Sequence, residues 1–268
     1  MEAPTPTETR QRFLEGFAAQ VGLERAVFAS HGITVVGRDD RAGTGIAACY
    51  RVDQHLVVWA DPAVVDALPT VELQGARGGL PDDGALGNVL AAAGFEFVAG
   101  GVMCTLQTPV PTRPAVPAPF EARRLHAEDD GDVIRVREFL EQCDPDELEL
   151  AGLADFGDFT EYDEVAINVV VDTTARRSAG LDANDPIVAY SSAMDWDWDP
   201  VFADIAVIVL GSQRGRGLAR IVTTEAMADI HAMDRLPLYR FRADNVASAH
   251  LAAALGFAPV TTLGLYRR

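Results

Sequence analysis

The segment that most limits the fold of this chain is Val207-Ile208-Val209-Leu210, followed by Gly211-Ser212-Gln213-Arg214-Gly215-Arg216-Gly217 and Leu218-Ala219. A β-branched apolar run reads as a buried strand. The apolar residues Ile221, Val222, Ala226 and Ile230 that follow share one helical face, which predicts a helix over 218–233. A strand that passes into a helix through so many glycines needs backbone in the left-handed region, which glycine enters without steric cost. Such a turn also aims several N–H groups at one point, and the helix start adds partial positive charge. The ligand that suits it is a phosphate or pyrophosphate. Arg214 and Arg216 add formal positive charge at the same place.

Two nucleotide motifs can be set against this turn. A Walker loop requires Gly-Lys-Ser/Thr, and every basic residue of this chain is Arg, so that motif is excluded. A dinucleotide fingerprint requires a third Gly where Arg220 stands, within a parallel βαβ frame. The strands expected before the turn, over 165–171, 187–194 and 201–210, follow one another as an antiparallel meander, which disfavours that frame.

The clearest boundary is the stretch from Thr108 to Pro119. Its five prolines lack a backbone donor and hold their neighbours extended, so it reads as a semi-rigid spacer. The chain is accordingly divided into 1–108, a linker over 109–119, and 120–268. In the first part a helix is expected over 8–21, with Phe13, Leu14, Phe17, Ala18 and Val21 inward. A hairpin over 46–52 and 56–60, short helices over 63–68 and 84–93, and two short strands over 95–99 and 102–107 follow. In the second part a strand over 120–125, helices over 129–143 and 145–153, and the meander precede the Gly-rich turn. A strand over 238–242, a helix over 247–255 and a strand pair beginning at Phe257 close it. Ala91-Ala92-Ala93-Gly94-Phe95 echoes Ala253-Ala254-Leu255-Gly256-Phe257, each being a helix end, a Gly stop and an aromatic that opens a strand.

Composition narrows the partners. Forty acidic against 22 basic residues give a formal charge of -18, which disfavours nucleic acid and anionic membrane and fits a cationic, amine-bearing partner. A solvated surface accounts for the same charge. Cys49, Cys104 and Cys143 are widely spaced in apolar company and read as inert core thiols. The polar, acidic N-terminus and the lack of a long apolar run point to a cytoplasmic protein with no membrane span. No metal-ligand spacing is found, and a calcium loop starting at Asp195 fails because Pro200 and Ala206 stand where Gly and Glu are needed.

Residues 120–268 resemble the GNAT superfamily of acyl-CoA-dependent N-acetyltransferases. Arg214-x-x-Gly217-x-Ala219 is similar to the family's Arg/Gln-x-x-Gly-x-Gly/Ala, and Asn245-Val246-Ala247-Ser248, leading to Gly256-Phe257, is similar to its Asn-x-x-Ser/Ala element and Gly-Phe stop. The whole chain resembles, more loosely, bacterial members with a degenerate N-terminal half. The resemblance implies an α+β fold, a mixed and mainly antiparallel sheet flanked by helices, in tandem with a degenerate half of the same type. It implies acetyl-CoA as cosubstrate. The amides of Arg214, Gly215, Arg216, Gly217, Leu218 and Ala219 would hold the pyrophosphate, and Val207, Ile208 and Val209 would pair with the pantetheine arm and direct an amide at the thioester carbonyl. Asn245 and Ser248 would meet the arm from the other side, with a simple helix cap as the alternative for Asn245.

Direct transfer to an amine needs a proton acceptor. Asp204, on the strand entering the motif, is the first choice, and a solvent-facing aspartate is the alternative. The family's general-acid Tyr falls at Ala252 here, which leaves His250, Tyr266 or water. For the acceptor, Asp195, Trp196 and Trp198 alternate acid and aromatic at an expected hairpin tip, and Glu147 sits on a short helix. The function expected is acetyl transfer to a small cationic amine or a protein amino group. A CoA-binding sensor that has lost catalysis, and a homodimer, stay open.

Overall fold

The computed structural model describes residues 5–68, 83–126, 129–151, 153, 164–174, 185–195 and 201–268. Along the chain the elements are α1 (Pro6–Val21), β1 (Gly32–Gly37), β2 (Ile46–Val52), β3 (His55–Ala60), α2 (Asp83–Ala92), β4 (Glu96–Leu106), β5 (Phe120–Leu125), α3 (Asp130–Leu140) and α4 (Pro145–Leu150). Then come β6 (Glu164–Asp172), β7 (Ile187–Asp195), β8 (Phe202–Val209), α5 (Leu218–Ala232), β9 (Leu236–Arg242), α6 (Val246–Leu255) and β10 (Phe257–Arg267). Most expected elements are present within a residue or two. Residues 62–67 form a 3-10 turn, and β1 was not anticipated. No described helix is long and apolar enough to cross a membrane.

The chain forms two units. One comprises residues 1–9, 105–241 and 245–258, and the other 10–104, 242–244 and 259–268. The linear division at the proline stretch therefore differs from the division in space at the last strand. From Thr262 to Arg267, β10 pairs antiparallel with Arg51 to Ile46, so the C-terminal strand is built into the sheet of the N-terminal part. Its buried Tyr266 packs with Ala47, Cys49 and Leu90. A linker in the sequence records where the chain is stiff, whereas a sheet accepts any strand that offers a free ladder edge and an apolar face.

In that N-terminal unit the strands run β1-β3-β2-β10-β4. All of β3 is buried because both its edges and both its faces are covered. Leu56, Val58 and Ala60 pack against Leu86 and Leu90 of α2. On the other side Trp59 stacks on Phe17, with ring centroids 5.9 Å apart, and Phe17 belongs to the apolar face of α1 that the sequence predicted. Each fully buried side chain of this size contributes about 1.5–3 kcal/mol. The two short strands expected on either side of Gly100-Gly101 are one strand, β4. At Gly100 a β-carbon would lie 3.2 Å from the Phe97 ring and 3.4 Å from the Leu263 carbonyl, so the glycine permits close packing and does not break the strand. The strand pair expected after Phe257 is likewise the single strand β10.

The other unit carries β9-β8-β7-β6-β5, with β8 and β9 parallel and the remaining pairs antiparallel, as expected of the meander. One face is covered by Val133, Val136, Phe139 and Leu140 of α3, which meet Ile167, Val169, Tyr190, Ala206 and Ile208. The other is covered by Leu218, Ile221 and Val222 of α5, which meet Val170, Ala189 and Val209. Helix starts are fixed by side chains: Asp129 accepts from the Gly131 N–H at 2.8 Å, and Asp144 accepts from the Asp146 N–H at 2.9 Å ahead of Pro145. This is the α+β arrangement of a mixed sheet flanked by helices. Cys49, Cys104 and Cys143 are buried free thiols, and burial pushes the first two up to about 12 and Cys143 up to about 11.

Candidate functional site

The site begins where a ladder stops. β8 and β9 pair from Phe202 with Leu236 to Ile205 with Tyr239 and no further, while β8 continues to pair with β7 up to Val209. From Ala206 onward one edge of β8 is open. The Leu210 N–H bonds to the Val188 carbonyl, so by the alternation of an antiparallel ladder the polar groups of Ile208 also face β7. Those of Val207 and Val209 face the open side.

A cleft of about 360 Å3 lies along this edge, lined by Val207, Ile208, Val209, the turn, the first residues of α5 and one side of α6. Gly215 and Gly217 have φ values of 76° and 77°, and a β-carbon at either would meet nothing within 4 Å. The glycines are thus required by conformation, and the space above them is open to a ligand. Gly217 is the N-cap of α5 and provides no capping side chain, so the N–H groups of the first helical turn are left for a ligand or water. A phosphate there would gain those amides and the helix start.

The residues expected to hold a CoA arm largely converge. Val207, Ile208, Val209, Arg214, Gly215, Gly217, Leu218, Ala219, Asn245 and Ser248 all line the cleft. Arg216 does not. Its guanidinium carbon lies 5.7 Å from the centre of the Phe120 ring, a cation–π contact outside the lining. Asn245 is a cap as well as a lining residue, since its Oδ1 accepts the Ser248 N–H at 3.0 Å, which leaves its amide NH2 as donor. Arg214 donates from Nε to the Val209 carbonyl at 3.4 Å and from Nη2 to Glu147 Oε2 at 2.6 Å. Glu147, expected to meet an acceptor amine, is therefore a cleft residue whose partner in this structure is Arg214.

The remaining acid–base and acceptor candidates are dispersed. Asp204 is buried on β8, and its Oδ2 accepts from Arg240 Nε at 2.6 Å, with Arg240 Nη2 also in contact. It lies outside the cleft lining, about 10 Å along the strand from Val207. Asp195, at the end of β7 opposite Ala203, pairs with Arg235 and is likewise outside the lining. Trp196 and Trp198 lie outside the described residues. His250 is exposed on α6 and off the lining, Ala252 is buried, and Tyr266 is in the core of the N-terminal unit.

Gln213, Ala151, Ala247 and Leu251 also line the cleft and were not foreseen. Gln213 Oε1 is buried with no hydrogen-bond partner among the described residues. Helical spacing leads from Ser248 to Leu251, three residues on, and from Leu251 back four to Ala247, but nothing in the sequence marks Ala151.

No protein-family model matches the chain, and no curated protein matches it. Solved structures do. A GCN5-related N-acetyltransferase from Sphaerobacter thermophilus is similar over 99% of this chain and 94% of its own, at 16% identity and a TM-score of 0.54. A tandem GNAT protein from the clavulanic acid biosynthesis pathway matches over 99% and 96% at 15% identity and a TM-score of 0.49. A GNAT-family acetyltransferase from Colwellia psychrerythraea matches over 94% and 96% at 14% identity and a TM-score of 0.48. The fold is that of the GNAT acetyltransferases. At these identities the fold is what is shared.

Proposed function

We propose that the chain is an acetyl-CoA-dependent N-acetyltransferase that moves an acetyl group directly to the primary amine of a small cationic acceptor. The observation that carries this is the coincidence, in one cleft, of an open strand edge with a glycine turn at a helix start. The open edge suits a peptide-like arm, since Val207 and Val209 can pair with its amides as a further strand would. The turn suits a pyrophosphate. An amide of β8 directed at the thioester carbonyl would stabilise the oxyanion as the amine nitrogen bonds to carbon and the carbon–sulfur bond breaks. The amine must first lose a proton, and the thiolate must gain one.

For the proton, Asp204 offers only Oδ1, because Oδ2 is held by Arg240. Water held in the cleft is the simpler acceptor, and water also serves the thiolate, since Ala252 stands at the position of the family's tyrosine. The same two facts favour the second reading, a CoA-binding sensor or interaction protein without turnover. The experiment that separates them is thiol release from acetyl-CoA over a panel of polyamines, aminoglycosides and amino acids, beside a thermal shift with CoA. Release with cationic amines supports the transferase. A shift without release supports the sensor, and release only with anionic amino acids removes the cationic acceptor.

A further inference from the structure

Arg214 lines the cleft from the glycine turn and is bound by a carboxylate of this same chain, Glu147, at 2.6 Å. Glu147 is brought there by a fixed element. α4 starts at the Asp144 cap and Pro145, and Leu148 packs on the buried cluster of Phe139 and Ile208. Arg214 is tethered too, through Nε to the Val209 carbonyl. Neither partner is deeply buried, the side chains being 30% and 52% exposed, so the pair is weak enough to exchange. One guanidinium cannot neutralise both a carboxylate and a pyrophosphate, and two anions held on it repel each other.

We propose that Glu147 competes internally for the phosphate-binding guanidinium: CoA displaces it from Arg214, and the freed carboxylate is then taken by the ammonium of a cationic acceptor. The two ligands thereby help each other through one side chain, and by linkage the assistance is reciprocal. The inference rests on the reading of the cleft as a CoA site. It differs from that reading in giving Glu147 two successive partners and in predicting that its removal strengthens one ligand.

The test is CoA affinity by calorimetry for the intact chain, Glu147→Gln and Asp146→Asn, each with and without spermidine, ionic strength being matched with sodium chloride. The expected result is that Glu147→Gln binds CoA about three- to tenfold more tightly. Spermidine should tighten CoA binding to the parent chain about threefold and leave Glu147→Gln unchanged. Asp146→Asn, which removes an exposed charge beside Glu147 with no contact to Arg214, should behave as the parent. Unchanged or weaker CoA binding by Glu147→Gln overturns the competition. No spermidine effect in the parent, or an equal effect in Glu147→Gln, overturns the transfer to the acceptor. A parent chain that binds no CoA overturns the reading beneath the inference, and the inference with it. Thermal melts of the three proteins keep a folding defect apart from a binding effect.

Discussion

β3 and β8 are both buried strands that leave their sheet into a tight turn, yet only β8 opens onto the cleft. β3 is hydrogen-bonded along its whole length on both edges, to β1 and to β2. At its end the Asp61 carboxylate accepts the Gly45 N–H at 2.8 Å and the Ala63 N–H at 2.9 Å. These bonds hold Asp61 below the usual carboxylate range. The N-terminal unit thus satisfies amides at a strand end with its own anion. β8 loses its β9 partner after Ile205, and its exit is capped by a glycine that offers no side chain. What separates a strand that borders a cleft from a purely structural one here is whether the chain itself fills the strand's edge and the amides beyond its end.

The largest effect is expected from filling the β8 exit. Gly217→Trp places a large ring in open space and should reduce CoA affinity more than a hundredfold, a loss well beyond the about 1–2 kcal/mol of stability that a side chain at its left-handed backbone costs in a melt. Calorimetry with CoA decides it. Arg214→Glu, which exchanges a charge-assisted donor for a repelling anion, should cost about ten- to a hundredfold in the same measurement. Unchanged affinity in both would remove the pyrophosphate from the turn.

A second contrast concerns the two helix stops that echo each other in sequence. Gly94 and Gly256 both adopt left-handed backbone, with φ of 85° and 89°, and each is followed by a buried aromatic and an 11-residue strand. A β-carbon at Gly94 meets nothing within 4 Å, whereas one at Gly256 lies 2.1 Å from Thr108 Oγ1 and 3.2 Å from Thr108 Cβ. Gly94→Ala should therefore cost about 1–2 kcal/mol from backbone strain alone. Gly256→Ala should cost roughly 3 kcal/mol, with part recovered in a Thr108→Ala background. Urea unfolding measures both, and equal costs would mean that the Thr108 contact is readily relieved.

The smallest effect is expected at Asp61. Its carboxylate is favoured in the folded state, so its contribution is present above about pH 4 and fades as pH falls through its lowered folded value. Asp61→Asn should lower the melting temperature at pH 7, converge with the parent below about pH 4, and leave CoA affinity unchanged. A pH-independent difference would assign the loss to geometry and not to charge.

Much of the fold could be read locally. The stripe of α1, the 46–60 hairpin, the β6-β7-β8 meander and the strand, turn and helix around Gly217 follow from periodicity and glycine placement, which act over a few residues. Misreadings arose where a residue has two uses. Gly100-Gly101 reads as a break and is a close approach. The acid–base and acceptor candidates were the least legible, because partners distant in sequence decide their availability. Asp204 is taken by Arg240, Asp195 by Arg235 and Glu147 by Arg214. In a chain with 40 acidic residues no local pattern says which carboxylate meets which arginine.

The sequence by itself determined that a buried strand runs into a helix through left-handed glycines, because backbone sterics are local. Tertiary structure decided that β9 parts from β8 after Ile205, that Glu147 meets Arg214 in the cleft lining, and that the last strand joins the N-terminal sheet. Those outcomes depend on ladder edges and faces brought together from distant parts of the chain, where packing and hydrogen-bond satisfaction of the whole choose among pairings that each segment alone would allow.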